Sequence, residues 1–153
     1  MITKPTMSQL LLSMQVELTE KIVPALTDPT LVVNVQMMTA VLGALAVRVE
    51  HELAWMRAES GRIEQAADTV LAAQPHSPEL AAALDEYRRH RTESLLVSDA
   101  QADYDRAGEV LSCLTAVSYA SGDAALVSLV EELFEDRLAI EQTAIGTFVA
   151  VGR

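Results

Sequence analysis

Four side chains near the middle of the chain have the types and spacing to share one binding site: Arg48, His51, Glu52 and Trp55. On a helix, Arg48 lies one turn before Glu52, and His51 lies one turn before Trp55, so all four could line one pocket rim. The alternative is a surface ion pair between Arg48 and Glu52, worth about 0.3 kcal/mol, with Trp55 packed at the end of a bundle. The sequence favours this structural alternative.

A second charged pair, Arg137 and Glu141, lies on or beside an apolar stripe at helical spacing. A buried arginine stays charged and therefore needs a carboxylate or an anionic ligand. Pairing with Glu141, or with Glu17 or Glu20, is favoured over binding of a ligand's carboxylate or phosphate.

Familiar catalytic and metal-binding motifs are missing from the sequence. A di-iron bundle needs Glu-x-x-His on paired helices, but no glutamate stands three residues before any of the three histidines. The motifs H-E-x-x-H and G-x-S-x-G and the glycine-rich phosphate loops are absent as well. Cys113 is the only cysteine and lies in an apolar helical segment, which indicates an inert buried thiol. We expect no metal and no cofactor, and an enzyme is the least favoured function.

Composition limits the partners and the compartment. With 153 residues, half of them hydrophobic, the chain can bury one sizeable core, so one domain over residues 1–153 is predicted. The net charge of -11 would repel nucleic acid and an anionic bilayer. The single cysteine suits a reducing cytoplasm, the N-terminus lacks the apolar run of a signal peptide, and the few lysines beside many arginines are typical of a bacterial chain.

Hydrophobic periodicity predicts an all-α helical bundle of about six helices, four of them long. Asp28 and Asp123 are predicted N-caps, Gly122 is a predicted C-terminal cap, and Ser60-Gly61 is expected to separate two helices. The predicted segments are residues 6–26, 29–59, 62–73, 78–93, 98–121 and 124–148, the last one ending with Phe148.

The second predicted helix is apolar on nearly all sides over its first half, so two of its faces need cover. It is either a central helix or an interface helix, and its small-residue face is the candidate interface: Ala40, Gly43, Ala44 and Val47. The stretch from Leu31 to Val49 is also about long enough to span a bilayer. Asn34 and Gln36 within the stretch, Arg48 at its end and the lack of a Lys/Arg asymmetry between its flanks favour a buried helix of a soluble protein.

The first 60 residues resemble a family of small bacterial helical proteins of unknown function. The likeness lies in KPTMSQLLLSMQVELTEKIVPAL and in the later segment VRVEHELAW, with Pro5-Thr6, Leu10-Leu11, Glu17, Val23 to Leu26, Glu50 and Glu52-Leu53 as its main residues. Members are typically encoded beside acyl-CoA dehydrogenases and aminoglycoside-phosphotransferase-like kinases. The resemblance implies a protein partner from that neighbourhood and no catalytic residue.

Two functional hypotheses follow from the residues. The first is a non-enzymatic accessory or interaction protein that forms a homodimer. The second is a binding protein for an apolar ligand with an anionic head, such as a fatty acyl thioester, with Arg137 or Arg48 meeting the anion. The methionines of the first two helices would suit the walls of such a site.

Overall fold

The computed structural model describes residues 4–145, with Ile145 described in its backbone only. This part of the chain is all-α, as the periodicity predicts, and contains no strand. Its five α-helices are α1 (Met7–Glu17), α2 (Pro29–Ala73), α3 (Pro78–His90), α4 (Val97–Ser121) and α5 (Ala124–Ile145). Phe148, predicted near the end of the last helix, lies outside the described residues.

The helix count is one lower than predicted because Ser60 and Gly61 do not end a helix: α2 runs unbroken from Pro29 to Ala73. A glycine inside a helix costs about 1 kcal/mol relative to alanine. Just beyond it, Ile63 and Val70 are completely buried. Burial of one such side chain stabilises by about 1.5–3 kcal/mol, so tertiary packing outweighs the local preference.

The caps predicted before α2 and α5 and after α4 are confirmed, whereas Ser77 makes no capping hydrogen bond before α3. Thr6 and Gln9 form a reciprocal capping box at the start of α1. Asp28 and Asp123 each accept a hydrogen bond from the backbone N–H two residues later, before α2 and α5. Gly122 ends α4 with φ +69°, a left-handed conformation that suits glycine.

The first helix is shorter than predicted. After Glu17 the chain continues as one wide π-helical turn, Leu18–Ile22, and one 3-10 turn, Val23–Ala25. Pro24 has no N–H to donate and its ring crowds the preceding turn, so regular α-helical bonding cannot continue through it.

The described residues divide into two compact units, residues 4–52 with 141–145 and residues 53–140. We call these the first unit and the second unit. The predicted single domain is not tested by this division and stays a prediction.

The second unit has an apolar helical core. It is formed by the C-terminal half of α2 with α3, α4 and residues 124–140 of α5. Its fully buried large side chains are Ile63, Val70, Leu80, Leu84, Val110, Leu114 and Val130. Cys113 packs against this core and is half-buried.

Truncation of a core leucine should show how much stability this packing contributes. Leu114 is 0% exposed, so Leu114→Ala should lower the free energy of unfolding by about 2–5 kcal/mol through lost burial and a residual cavity. Leu95 is 78% exposed, and the control Leu95→Ala should change it by less than about 0.5 kcal/mol. Denaturant unfolding measures both, and equal small effects would contradict the core assignment.

Candidate functional sites

In the first unit, α1 packs antiparallel on the N-terminal half of α2. Ser8 Oγ donates to the Glu50 carboxylate, and Gln15 Nε2 donates to the Thr39 carbonyl at 3.0 Å. A Cβ built on Gly43 would lie 3.0 Å from Gln15 Nε2, a tight contact with the end of a flexible side chain. Gly43 therefore leaves room on α2 for the Gln15 side chain.

The predicted small-residue interface is thus partly occupied inside the first unit itself. Gly43 contacts the Gln15 side chain of α1. Ala40, Ala44 and Val47 are half-buried. The most exposed apolar surface of the hairpin lies elsewhere.

That exposed surface, which we call the apolar face, combines one flank of α1 with the stripe on α2. Leu10 and Met14 of α1 line a groove of about 700 Å³ together with Met38 and Val41 of α2. The remaining α2 members follow at helical spacing, and the full set is Leu10, Met14, Leu31, Met38, Val41, Leu45 and Val49, all exposed. Residues 5–16 and 29–47 contain no charged side chain.

The apolar stretch of α2 is long enough, by length and composition alone, to cross a membrane. Only 6% of this stretch is buried inside the protein. The described residues therefore do not cover this stretch as a central helix would be covered.

Two of the four residues predicted to line a pocket rim form the surface ion pair that was the alternative interpretation. Arg48 and Glu52 form an exposed i,i+4 pair on α2. His51 is exposed and Trp55 is half-buried, and each has an interaction partner within the protein. Trp55 belongs to the second unit, whereas the other three residues belong to the first.

A buried carboxylate in the second unit, which the sequence analysis missed, links three helices. Glu59 of α2 is almost fully buried and accepts a hydrogen bond from Tyr104 Oη at 2.8 Å and from Arg137 Nε at 2.6 Å. The Arg137 guanidinium also stacks over the Tyr104 ring, 5.8 Å from its centroid. Glu59 thus takes the place expected for Glu141, which is exposed. The sequence did contain a signal for this: Glu59 lies at helical spacing from Met56 and Ile63, which places it on the same helix face as these apolar residues.

Protonation in this cluster is shaped by burial and by the Glu59 charge. Burial raises the pKa of the Tyr104 phenol above its ordinary value, and the hydrogen bond to Glu59 raises it further. Burial acts to lower the pKa of Arg137, but the hydrogen bond and the charge of Glu59 outweigh it and raise that pKa. Both Glu59 oxygens are occupied, so the cluster acts as a structural cross-link rather than as an open site.

The basic run at the end of α3, residues 88–91, forms ion pairs with α2 and with its own helix. Arg88 pairs with Glu64 and Asp68 at 2.7 Å each, and Arg91 pairs with Glu64 at 2.7 Å. The other two members of the run pair with Glu86. These contacts join α3 to α2.

The segment between α3 and α4 is held by two charged side chains. Arg57 of α2 donates to the carbonyl oxygens of Thr92, at 3.1 Å, and Ser94. Buried Asp103 of α4 accepts from Thr92 N at 3.0 Å and from Thr92 Oγ1 at 3.1 Å. This connection is therefore fixed at defined points although Leu95 beside it is exposed.

Comparisons with known proteins supply no function. No protein-family model matches the chain, and neither a curated protein nor a solved structure matches it. Within residues 4–145, no group of three or more His, Cys, Asp or Glu side chains is arranged to hold a metal ion.

Removal of Arg137 should destabilise the protein because it leaves a buried carboxylate without its cation. Arg137→Met should lower the free energy of unfolding by about 3 kcal/mol, and the double variant with Glu59→Leu should recover part of that loss. The control Arg48→Met breaks an exposed pair and should cost less than about 1 kcal/mol. Equal losses for Arg137→Met and Arg48→Met in denaturant unfolding would refute the cross-link.

The Tyr104 phenol should ionise only above its ordinary value of about 10. Since the folded state holds this proton more tightly than the unfolded state, the stabilisation is complete below pH 10 and is lost as the pH rises through the folded pKa. Ultraviolet difference titration of wild type against Tyr104→Phe isolates this phenol. An ionisation at or below the ordinary value would contradict the burial of its hydroxyl beside Glu59.

Proposed function

We propose that this chain is a non-enzymatic interaction protein of the bacterial cytoplasm that forms a homodimer through the apolar face. The observation that carries the proposal is a set of seven exposed, uncharged large side chains on one hairpin. Soluble proteins rarely leave contiguous apolar surface of this kind in water unless a partner covers it.

The energy available on this face is comparable to the cost of association. Burial of the exposed half of one such side chain stabilises by about 1 kcal/mol. A symmetric contact buries the set on both copies, which yields on the order of 10 kcal/mol against an association cost of about 4–15 kcal/mol. Contacts at the edge of the face would add to this.

Charge distribution favours a second copy as the occupant. Two chains that each carry a net charge of -11 repel one another, and this repulsion is least where the touching surfaces are uncharged. Six of the seven members of the apolar face lie in residues 5–16 and 29–47, which carry no charge. Val49 lies beyond these stretches, and Glu17, which pairs with Lys21, lines the groove. Two such hairpins, packed face to face, would form a four-helix bundle, a common way to bury amphipathic helices.

The family resemblance of the first 60 residues supports a further protein partner, drawn from an acyl-CoA dehydrogenase or kinase neighbourhood. We place that partner outside the dimer contact, since one apolar face cannot be covered twice. An accessory role of this kind needs no catalytic residue in the chain.

The second candidate function is binding of an apolar ligand, and the groove on the apolar face favours it. Its volume of about 700 Å³ lies within the range of small-molecule sites, and Met14, Met37 and Met38 line it. The cations expected to meet an anionic head are already engaged, however: Arg48 pairs with Glu52, and Arg137 pairs with Glu59. The ligand hypothesis therefore lacks its head-group contact.

Two charge substitutions compare the two faces of α2. Wild type should have twice the chain mass of 16.6 kDa by native mass spectrometry and sedimentation equilibrium. Met38→Glu, at a residue 55% exposed on the apolar face, should yield folded monomer, because a symmetric contact would bury one unpaired carboxylate from each copy. Ala44→Glu, on the small-residue face, is the matched control and should remain dimeric.

Each other result has a defined meaning. A monomeric wild type would refute the dimer, and a dimer lost only in Ala44→Glu would move the interface to the small-residue face. A retained adduct of defined mass on a monomer would favour the ligand-binding function. Flotation of monomer with lipid vesicles would indicate a membrane as the occupant of the apolar face.

A further inference from the structure

The oxidisable methionines of the chain are concentrated on the first unit. Apart from Met1, the sequence contains five methionines, and four of them are exposed residues of α1 or α2: Met7, Met14, Met37 and Met38. The fifth, Met56, is 7% exposed and belongs to the second unit. An exposed thioether sulfur is open to oxidants in solution, whereas burial shields it.

Three of the exposed methionines line one groove. Met14 of α1 lies there together with Met37 and Met38 of α2, in the groove of about 700 Å³ on the apolar face. Each of the three side chains is more than half exposed in the single chain. A dimer formed through the apolar face would cover all three on both copies.

The groove offers almost no hydrogen-bond donor to an oxygen placed on these sulfur atoms. Of the nine described side chains that line it, Ser13 alone carries a donor, a single hydroxyl. The ionised Glu17 carboxylate only accepts, and it pairs with Lys21 at 2.7 Å. A second copy presents the same side chains, so it adds no other kind of donor. A thioether needs no hydrogen bond there, but the S=O group of a sulfoxide would be buried without a partner.

We propose that Met14, Met37 and Met38 form an oxidation site through which hydrogen peroxide controls the association of this protein. The inference rests on the proposed dimer and names its regulation. The thioether sulfur takes one oxygen atom from the peroxide: the O–O bond breaks, an S–O bond forms and water leaves. The sulfur gives up an electron pair and the peroxide accepts it, so the step needs no other reactant.

Oxidation and association exclude each other at this site. In the free chain the three methionines are exposed to peroxide, whereas the dimer contact shields them. Peroxide therefore reacts with the monomer that is in equilibrium with the dimer. The oxidised chain cannot bury its sulfoxides again without leaving S=O groups unpaired, so it accumulates as monomer. Methionine sulfoxide reductases return the sulfoxide to the thioether, which makes the change reversible.

The first experiment measures the mass of wild type by sedimentation equilibrium before and after treatment with hydrogen peroxide, and peptide mass spectrometry locates the oxidised residues. Conversion of the three methionines to sulfoxides should raise the dissociation constant of the dimer by at least about a hundredfold, with the helical circular dichroism retained. Dithiothreitol added afterwards reverses disulfide or sulfenic acid formation at Cys113 but leaves methionine sulfoxide in place. The two reductases, one for each sulfoxide epimer, should then restore the dimer.

The rate of oxidation tests the shielding directly. Because the dimer covers the groove, its three methionines should be oxidised about tenfold or more slowly at protein concentrations far above the dissociation constant than far below it. Buried Met56 should react slowly at both concentrations. Equal rates for the groove methionines at the two concentrations, in a protein that does dimerise, would show that the contact does not shield them and would overturn the site.

Leucine variants test which sulfur atoms are responsible. Met14→Leu, Met37→Leu and Met38→Leu, combined in one chain, keep the size and the apolar character of the side chains but remove the oxidisable sulfur. This triple variant should be dimeric before and after peroxide. The matched control Met56→Leu should be dimeric before treatment and should dissociate after it, as wild type does.

The contrary results separate this inference from the proposed dimer. An untreated wild type that is monomeric at every concentration would overturn both. A dimer that persists after complete oxidation of the three methionines would overturn the inference alone. Dissociation of the triple variant by peroxide, or failure of the reductases to restore the wild-type dimer, would do the same. The reductase and rate measurements use wild type and therefore decide the question if the triple variant does not fold.

Discussion

The second unit depends on the burial of the C-terminal half of α2 against α3, α4 and residues 124–140 of α5. Ile63 and Val70 are buried in this core together with leucines and valines from the other three helices. The same packing keeps α2 continuous through Gly61, where helix propensity alone favours a break. It is the framework of the second unit.

Buried charge is tolerated in that framework because it is shared between helices. Glu59 is bound by Tyr104 and Arg137, and Asp103 is bound by Thr92, so neither carboxylate is isolated. A buried ion pair contributes little net stability, but removal of one of its partners is strongly destabilising. These contacts therefore fix which helices meet.

The first unit presents the opposite situation, in which apolar surface exceeds what one hairpin can bury. Gly43 leaves room for the Gln15 side chain of α1 on one side of α2, while the side that carries Met38 and Leu45 is left exposed. Two helices have too few neighbours to form a closed core, so this surface stays exposed within the described residues.

The sequence by itself determined the all-α class, the caps at Asp28, Gly122 and Asp123, and the apolar stripe of α2, because these depend on local bonding and on helical periodicity. It could not determine the partner of Arg137 or the continuity of α2 at Gly61. Several carboxylates were possible partners of Arg137 by sequence alone. That Glu59 is the partner depends on how helices distant in the sequence cross. The groove lined by Met14, Met37 and Met38 likewise arises where two helices pack, so only the tertiary structure decided it.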